Sequence, residues 1–465
     1  MALLFLIAFL FAPGEDLAIK SKQAKEAMAA GQYEKAIALY SELNRAIPRN
    51  AGLMMNLGLA MHEAGRYSAA LRQFQSLARM RPDLTPALLF IGLDYQKLKQ
   101  PNKAIAPLSR VIAVDPANKT ALLELADAYL AVGRSEEAAA RFRELSDLDP
   151  KEPKAWQGLG LSHLALSRKA FEILEKTAPE SPYWFAVAGR AKLEQRQPRA
   201  AFRLYREALA RAPRLSIAHA GLADVYRYTG HDDWAALEES KAPDGASAQA
   251  RPGTPEALYQ QIAMYQAQAR DAFTHLGQLP PTAESHELMG GAYRAQERNH
   301  ESAEEYREAL KLDTGSLKRE LEKELAQSLW LDRDYAEAIP MLEHLLQAEP
   351  GSPELNHELG DSLVESGQPQ KAIRYLERAV QAAPSWLPAK ASLGRAYLHV
   401  DRYSNAAEQL KAALPLQENA TYYQLAQAYR KLGRPEEARS ALATFQRLSR
   451  SARERKEEIE EITPP

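Results

Sequence analysis

Residues 51–84 read AGLMMNLGLAMHEAGRYSAALRQFQSLARMRPDL, and two packed helices account for the main features of that stretch. Gly58 falls in the first helix and Ala70 in the second. Both are small, as two closely approaching helix backbones require. Gly65 lies between them, where a residue without Cβ turns the chain in a left-handed conformation. Phe74 is large enough to fill the space between this hairpin and the next. Pro82 ends the second helix, because proline cannot continue one.

Working outward, the same grammar recurs every 34 residues. Pro48, Pro82, Pro116 and Pro150 keep the period, as do Ala36, Ala70, Ala104 and Ala138. Gly31, Gly65 and Gly133 share it, with Lys99 in the missing place. Downstream, Ala338, Ala372 and Ala406 repeat it, as do Pro350 and Pro384. A fixed period of this length marks stacked modules. The chain is rich in good helix formers, and no stretch alternates β-branched with polar residues as a half-buried strand does. The expected class is all-α.

The units fall into two arrays. Residues 17–240 form an N-terminal array of about seven. Its fifth unit opens on Trp156, Leu159 and Gly160 and loses about five residues around Ser167; its seventh, from Ser216, has a second helix that breaks off early. Residues 241–254 (KAPDGASAQARPGT) are too rich in turn-forming residues to pack and read as a linker or loop. Residues 255–446 form a C-terminal array of about six units, opening with an irregular one over 255–281. Residues 447–465 begin as a charged run, basic first and acidic last, and read as a solvating cap or tail.

The 34-residue spacing, the small residues and the terminal proline together resemble the tetratricopeptide repeat (TPR) family over residues 17–446. The resemblance implies a right-handed α-solenoid of about 12–13 hairpins, with a concave groove lined by the first helix of each pair. Family members bind peptides, helices or partner domains there. The order of features also resembles long bacterial TPR scaffolds with export leaders. Ala2 to Ala12 is an unbroken apolar run, too short to span a bilayer and of the length of a signal-peptide core. Residues 1–14 are therefore expected to be a signal peptide cleaved after Gly14, although no Lys or Arg precedes the run. The alternatives are a clipped longer leader or a first helix that caps the solenoid. The expected location is periplasmic or cell-envelope, and cytoplasmic if the run is not a signal.

Chemistry is sparse. The sequence has no cysteine, which removes disulfides, thiolate nucleophiles and Cys-based metal sites. The 10 histidines are scattered, and His357-Glu358 lacks a second His at helical spacing. Neither a P-loop nor a nucleophile elbow occurs. His231-Asp232-Asp233-Trp234 reads as a helix start, with an aspartate as cap. With 59 Lys+Arg against 61 Asp+Glu, no long-range field favours nucleic acid. The expectation is no catalytic residue, cofactor, metal or nucleic acid, and no stable membrane span; the partner is a protein.

Residues a helical turn apart share a face. With the 34-residue period, first-helix positions form columns: Met55, Leu89, Leu123 and Gln157; Leu59, Leu93, Asp127 and Leu161; His62, Gln96, Leu130 and Leu164. These are largely apolar and form the candidate groove for a peptide or amphipathic helix. The competing role for the leucines is packing between neighbouring helices, and their exposure separates the two. The C-terminal columns are more polar: Lys323, His357, Ala391 and Tyr423; Gln327, Asp361, Arg395 and Gln427; Trp330, Val364, Leu398 and Arg430. The places of a carboxylate clamp hold Ser21, Lys25, Asn56, Leu89 and Phe90, so none is expected. Two other functions stay open: an adaptor subunit of an enzyme complex, and a carbohydrate or small-molecule binder using Tyr183, Tyr228, Trp330 and Tyr423.

Overall fold

The computed structural model describes residues 13–241, 250–315, 317–453 and 462–463. Among them are 24 α-helices and no strand, so the chain is an all-α solenoid. The expected leader lies outside the described residues except for Pro13 and Gly14, which open the first helix.

Two compact units share the chain: one runs up to Leu166 and takes in Tyr265–His275, the other comprises Ser167–Met264 and the residues from Leu276 on. The first unit contains α1 (Pro13–Ala29), α2 (Tyr33–Ala46), α3 (Ala51–Glu63), α4 (Tyr67–Met80), α5 (Thr85–Lys97), α6 (Pro101–Val114), α7 (Lys119–Ala131) and α8 (Ser135–Leu148). Each packs against the next, and α5 also touches α7. The turn glycines Gly31, Gly65 and Gly133 have φ of 69°, 72° and 77°, and Lys99 takes their place at 57°. Asn50 and Asn118 cap α3 and α7, their side chains accepting the N–H of Leu53 and Ala121 at 3.0 Å.

The second unit is built from α10 (Pro182–Glu194), α11 (Pro198–Arg211), α12 (Ser216–Tyr228), α13 (Asp232–Glu239), α15 (Ala283–Ala295), α16 (Asn299–Leu312), α17 (Lys318–Leu331), α18 (Tyr335–Ala348), α19 (Pro353–Glu365), α20 (Pro369–Ala382), α21 (Leu387–His399), α22 (Tyr403–Ala413), α23 (Asn419–Lys431) and α24 (Pro435–Arg453). First helices of successive hairpins touch here too: α10 with α12, α17 with α19, α19 with α21, α21 with α23. The short α13 is the curtailed second helix expected for unit seven. Its N-cap is His231, with no side-chain cap bond, and Asp232 and Asp233 lie in its first turn rather than at the cap.

The remaining helices, α9 (Pro153–Thr177) and α14 (Pro255–Gln278), have 25 and 24 residues, nearly twice the usual length. Here the structure corrects the sequence reading. No turn interrupts the fifth unit at Ser167, which is buried and helical. Where other units follow the turn position with the start of a second helix, Arg168-Lys169-Ala170 simply propagates the first. Residues 255–281 are likewise no hairpin: α14 runs unbroken from its Thr254 cap to the stop at Leu279-Pro280-Pro281. The compact units divide within these two helices, not at residues 241–254, of which 242–249 lie outside the described residues.

A single contact type explains the arrangement. A Cβ on Gly58, Gly92, Gly290, Gly360 or Gly394 would collide with Phe74, Leu108, Tyr306, Leu376 or Leu410 respectively, and one on Gly189 would press tightly on Tyr205, each sixteen residues further on. Gly160 breaks the rule: its neighbour is Phe273. Within the first unit, Ala272 joins Leu159 and Phe142 in one buried cluster, Trp156 stacks on His275 at 4.4 Å, and His163 on Tyr265 at 6.1 Å. The second half of α14 thus acts as the second helix of the fifth hairpin, and residues 167–264 are an insertion in it. Within the second unit, Ile262 of α14 is buried with Ala170 and Leu174 of α9.

The charged tail also departs from expectation at its described end. Ile462 is half-buried against the cluster containing Phe202, Tyr205 and Tyr226, and the Tyr226 hydroxyl donates to the Thr463 carbonyl at 2.8 Å.

Candidate partner-binding surface

The twelve candidate residues lie on the first helices α3, α5, α7 and α9 of the first unit. Met55, Leu59, His62, Leu89, Leu93, Gln96, Leu123, Leu130, Gln157, Leu161 and Leu164 are all half-buried, and Asp127 is exposed. None is sealed in the core. Met55, Leu59, Leu89 and Leu123 rest against the cluster of Phe74, Leu88, Ile91 and Leu122, so part of each side chain packs and part stays open. The period places them; Gly58 and Gly92 let the second helices in behind and turn these side chains to the other side.

Polar groups interrupt the apolar columns. His62 Nδ1 lies 2.7 Å from Asp94 Oδ1, and the imidazole meets Phe90 and Tyr67 edge-on at 5.2 and 5.4 Å. Asp94 is 0 % exposed and its second oxygen has no partner among the described residues. Burial pushes its carboxyl up, and the His62 hydrogen bond pulls it back. Gln96 Nε2 donates to the Glu124 carbonyl at 3.0 Å, tying two first helices together. Burial raises Glu124, with Lys97, Lys154 and His62 opposing. Asp127 is open to water yet crowded by protein on its flanks; that crowding and the Glu124 carboxylate raise it, and Lys154 opposes. An uncompensated carboxylate among leucines favours an incoming cation.

Ser21, Lys25 and Asn56 line one shallow hollow with Leu17, Leu53 and Ile47, while Leu89 and Phe90 lie outside it.

In the columns of the second unit, Asp361 and Arg395 are engaged in a polar network, while His357 Nδ1 is buried without a partner among the described residues. Asp361 accepts Trp330 Nε1 at 3.0 Å and Ser392 Oγ at 2.7 Å, and pairs with Arg395, which reaches Glu365 at 2.6 Å. His357, 4 % exposed, is flanked by Trp330 and Trp386 with ring centroids 5.6 and 4.7 Å away, and burial lowers its pKa. Glu358, 5 % exposed, is pushed up to about 7, first by burial and then by Glu354 and Glu324, against Gln327 and Arg294. Sequence reasoning missed this buried carboxylate; its position one residue from the His357 column gave the only signal.

The aromatic residues of the alternative reading lie on four helices with separate neighbours: Tyr183 by Tyr259, Trp330 by His357, Tyr423 by Phe445, and Tyr228 exposed. Among the described residues no three His, Asp or Glu stand close enough to hold a metal ion, and no helix is long and apolar enough to cross a membrane.

Fold and surface together define a class: a solenoid of helical hairpins presenting first-helix side chains along one face. Models of the tetratricopeptide repeat match residues 96–161, 329–385 and 363–424, residues 21–85 and 287–353, and residues 420–451. Together they cover well over half of the chain, which belongs to the tetratricopeptide repeat family. Repeats of this family mediate protein–protein interactions and are typically non-catalytic. The interval between 161 and 287 contains the insertion. No curated protein matches the chain. Among solved structures, MamA from Desulfovibrio magneticus RS-1 (residues 41 to the end) is 26 % identical, covering 34 % of this chain and 88 % of its own, with a TM-score of 0.32. A tetratricopeptide repeat protein from Parabacteroides merdae ATCC 43184 is 17 % identical, covering 68 % of this chain and 99 % of its own, with a TM-score of 0.33.

Proposed function

We propose that the chain is a non-catalytic scaffold that holds a peptide or amphipathic helix of a partner protein on the first-helix face of α3, α5, α7 and α9. The observation that carries this reading is the half-exposure of eight apolar side chains in register: Met55, Leu59, Leu89, Leu93, Leu123, Leu130, Leu161 and Leu164. Contiguous apolar surface on a soluble protein marks an interaction site. On the equivalent face of the second unit, Asp361 and Arg395 are engaged with Trp330, Ser392 and Glu365. Asp127, exposed on this face, and the half-buried Glu124 favour a partner with a Lys or Arg between its apolar anchors. The apolar run Ala2–Ala12 supports work in the cell envelope, organising a complex there.

The test is capture of partners from native cells by wild-type protein and by the Leu59→Glu/Leu93→Glu double variant, with Leu398→Glu as a control on the second unit. Two charges set into a packed contact should cost at least tenfold in the bound fraction, about 1.4 kcal/mol or more. A partner retained equally by all three proteins would remove this face from consideration. Sequencing the mature N-terminus tests export: a start beyond Gly14 supports it, and an intact Met1 opposes it.

A further inference from the structure

Helices α11–α13 gather an aromatic cluster that two residues near the C-terminus touch. Phe202 of α11 and Trp234 of α13 flank Tyr226 of α12, with ring centroids 6.1 and 5.7 Å away. His231 stacks on Trp234 at 4.1 Å and fixes the indole. Tyr226 is 0 % exposed, yet its hydroxyl finds its acceptor 237 residues away in sequence, on the Thr463 carbonyl. Ile462 is half-buried against the same cluster, while the Thr463 side chain stays exposed.

We propose that α11–α13 form a receptor for a short non-helical segment carrying an isoleucine, and that Ile462-Thr463 occupies it as an intramolecular ligand. Apolar surface on the cluster takes the isoleucine, and the Tyr226 phenol reads a backbone carbonyl. The hydrogen bond is therefore sequence-tolerant, and selectivity rests on the isoleucine. A buried phenol needs such a partner, because leaving it unmade costs about 1–3 kcal/mol. Tethering gives the tail a high effective concentration, so a separate peptide of the same kind must displace it.

The lack of cysteine makes single-site labelling clean. Thr463→Cys in the full chain, labelled with a bimane that contact with Trp or Tyr quenches, reports occupancy directly. We expect at least twofold quenching that does not change on dilution, and its relief by Ile462→Asp or Tyr226→Ala. Excess peptide spanning Glu457–Pro465 should relieve it as well. In a chain ending at Arg453, the labelled peptide should bind at least tenfold more tightly than it does to the full chain. Quenching unaltered by Ile462→Asp would overturn the proposal. Quenching that falls with dilution would overturn the intramolecular assignment in favour of exchange between copies. Equal peptide binding to the full and shortened chains would also overturn it.

Discussion

Lys99 occupies a position where three sister units place glycine, and it pays with a left-handed backbone at φ 57°. For a residue with a Cβ that conformation costs about 1–2 kcal/mol, partly offset by the lower entropy of its unfolded state. Lys99→Gly should therefore stabilise the α5–α6 hairpin by roughly 0.5–1 kcal/mol. Thermal denaturation of the variant checks this, and an unchanged or lower midpoint contradicts it. Glu358 gives a pH signature. Its folded value of about 7 lies above the usual carboxylate range, so the folded state holds its proton more tightly than the unfolded chain. Its contribution is complete below the unfolded value near 4.3 and is lost as pH rises to about 7. Above that, the buried carboxylate costs on the order of 2–4 kcal/mol. Glu358→Gln should gain stability over wild type at pH 8 and little at pH 4.5. An equal effect at both values would show that the carboxyl is not held protonated.

At the scale of elements, the regular hairpins were legible because each repeats a local rule: a small residue, a turn, then a large side chain sixteen positions on. Gly58 with Phe74 and Gly360 with Leu376 follow it. The insertion was not legible by that reading, because Phe273 lies more than a hundred residues from the glycine it fills. Two signals were nonetheless present. Sixteen residues after Gly160 stands Lys176, a poor filler for a gap between hairpins. Ala269, Phe273 and Pro281 repeat the spacing of Ala70, Phe74 and Pro82, the mark of a second helix with no first helix before it. The columns of the candidate surface followed from the period, but their exposure did not. Periodicity places a leucine on a face, and only packing decides how much of it is covered. The Tyr226 contact with Thr463 left no trace in local sequence at all.

For the whole molecule, a stack of modules derives its stability from each hairpin and its immediate neighbours. An open repeat would expose the greasy side of α8 and leave Gly160 facing a gap. The second half of α14 closes it, and so supports Gln157, Leu161 and Leu164, the last rank of the proposed binding face. Shortening Phe273 should therefore weaken partner capture although that residue lies on another helix. Phe273→Ala removes a buried ring, a change that typically costs about 3–5 kcal/mol, and the loss should remain local to the closure. Amide hydrogen exchange of the Phe273→Ala variant, followed peptide by peptide, tests this most directly. Protection should fall across residues 153–166, far upstream of the substitution, while residues 318–365 keep theirs. Unchanged exchange over 153–166 would contradict the split hairpin and the completed face that depends on it.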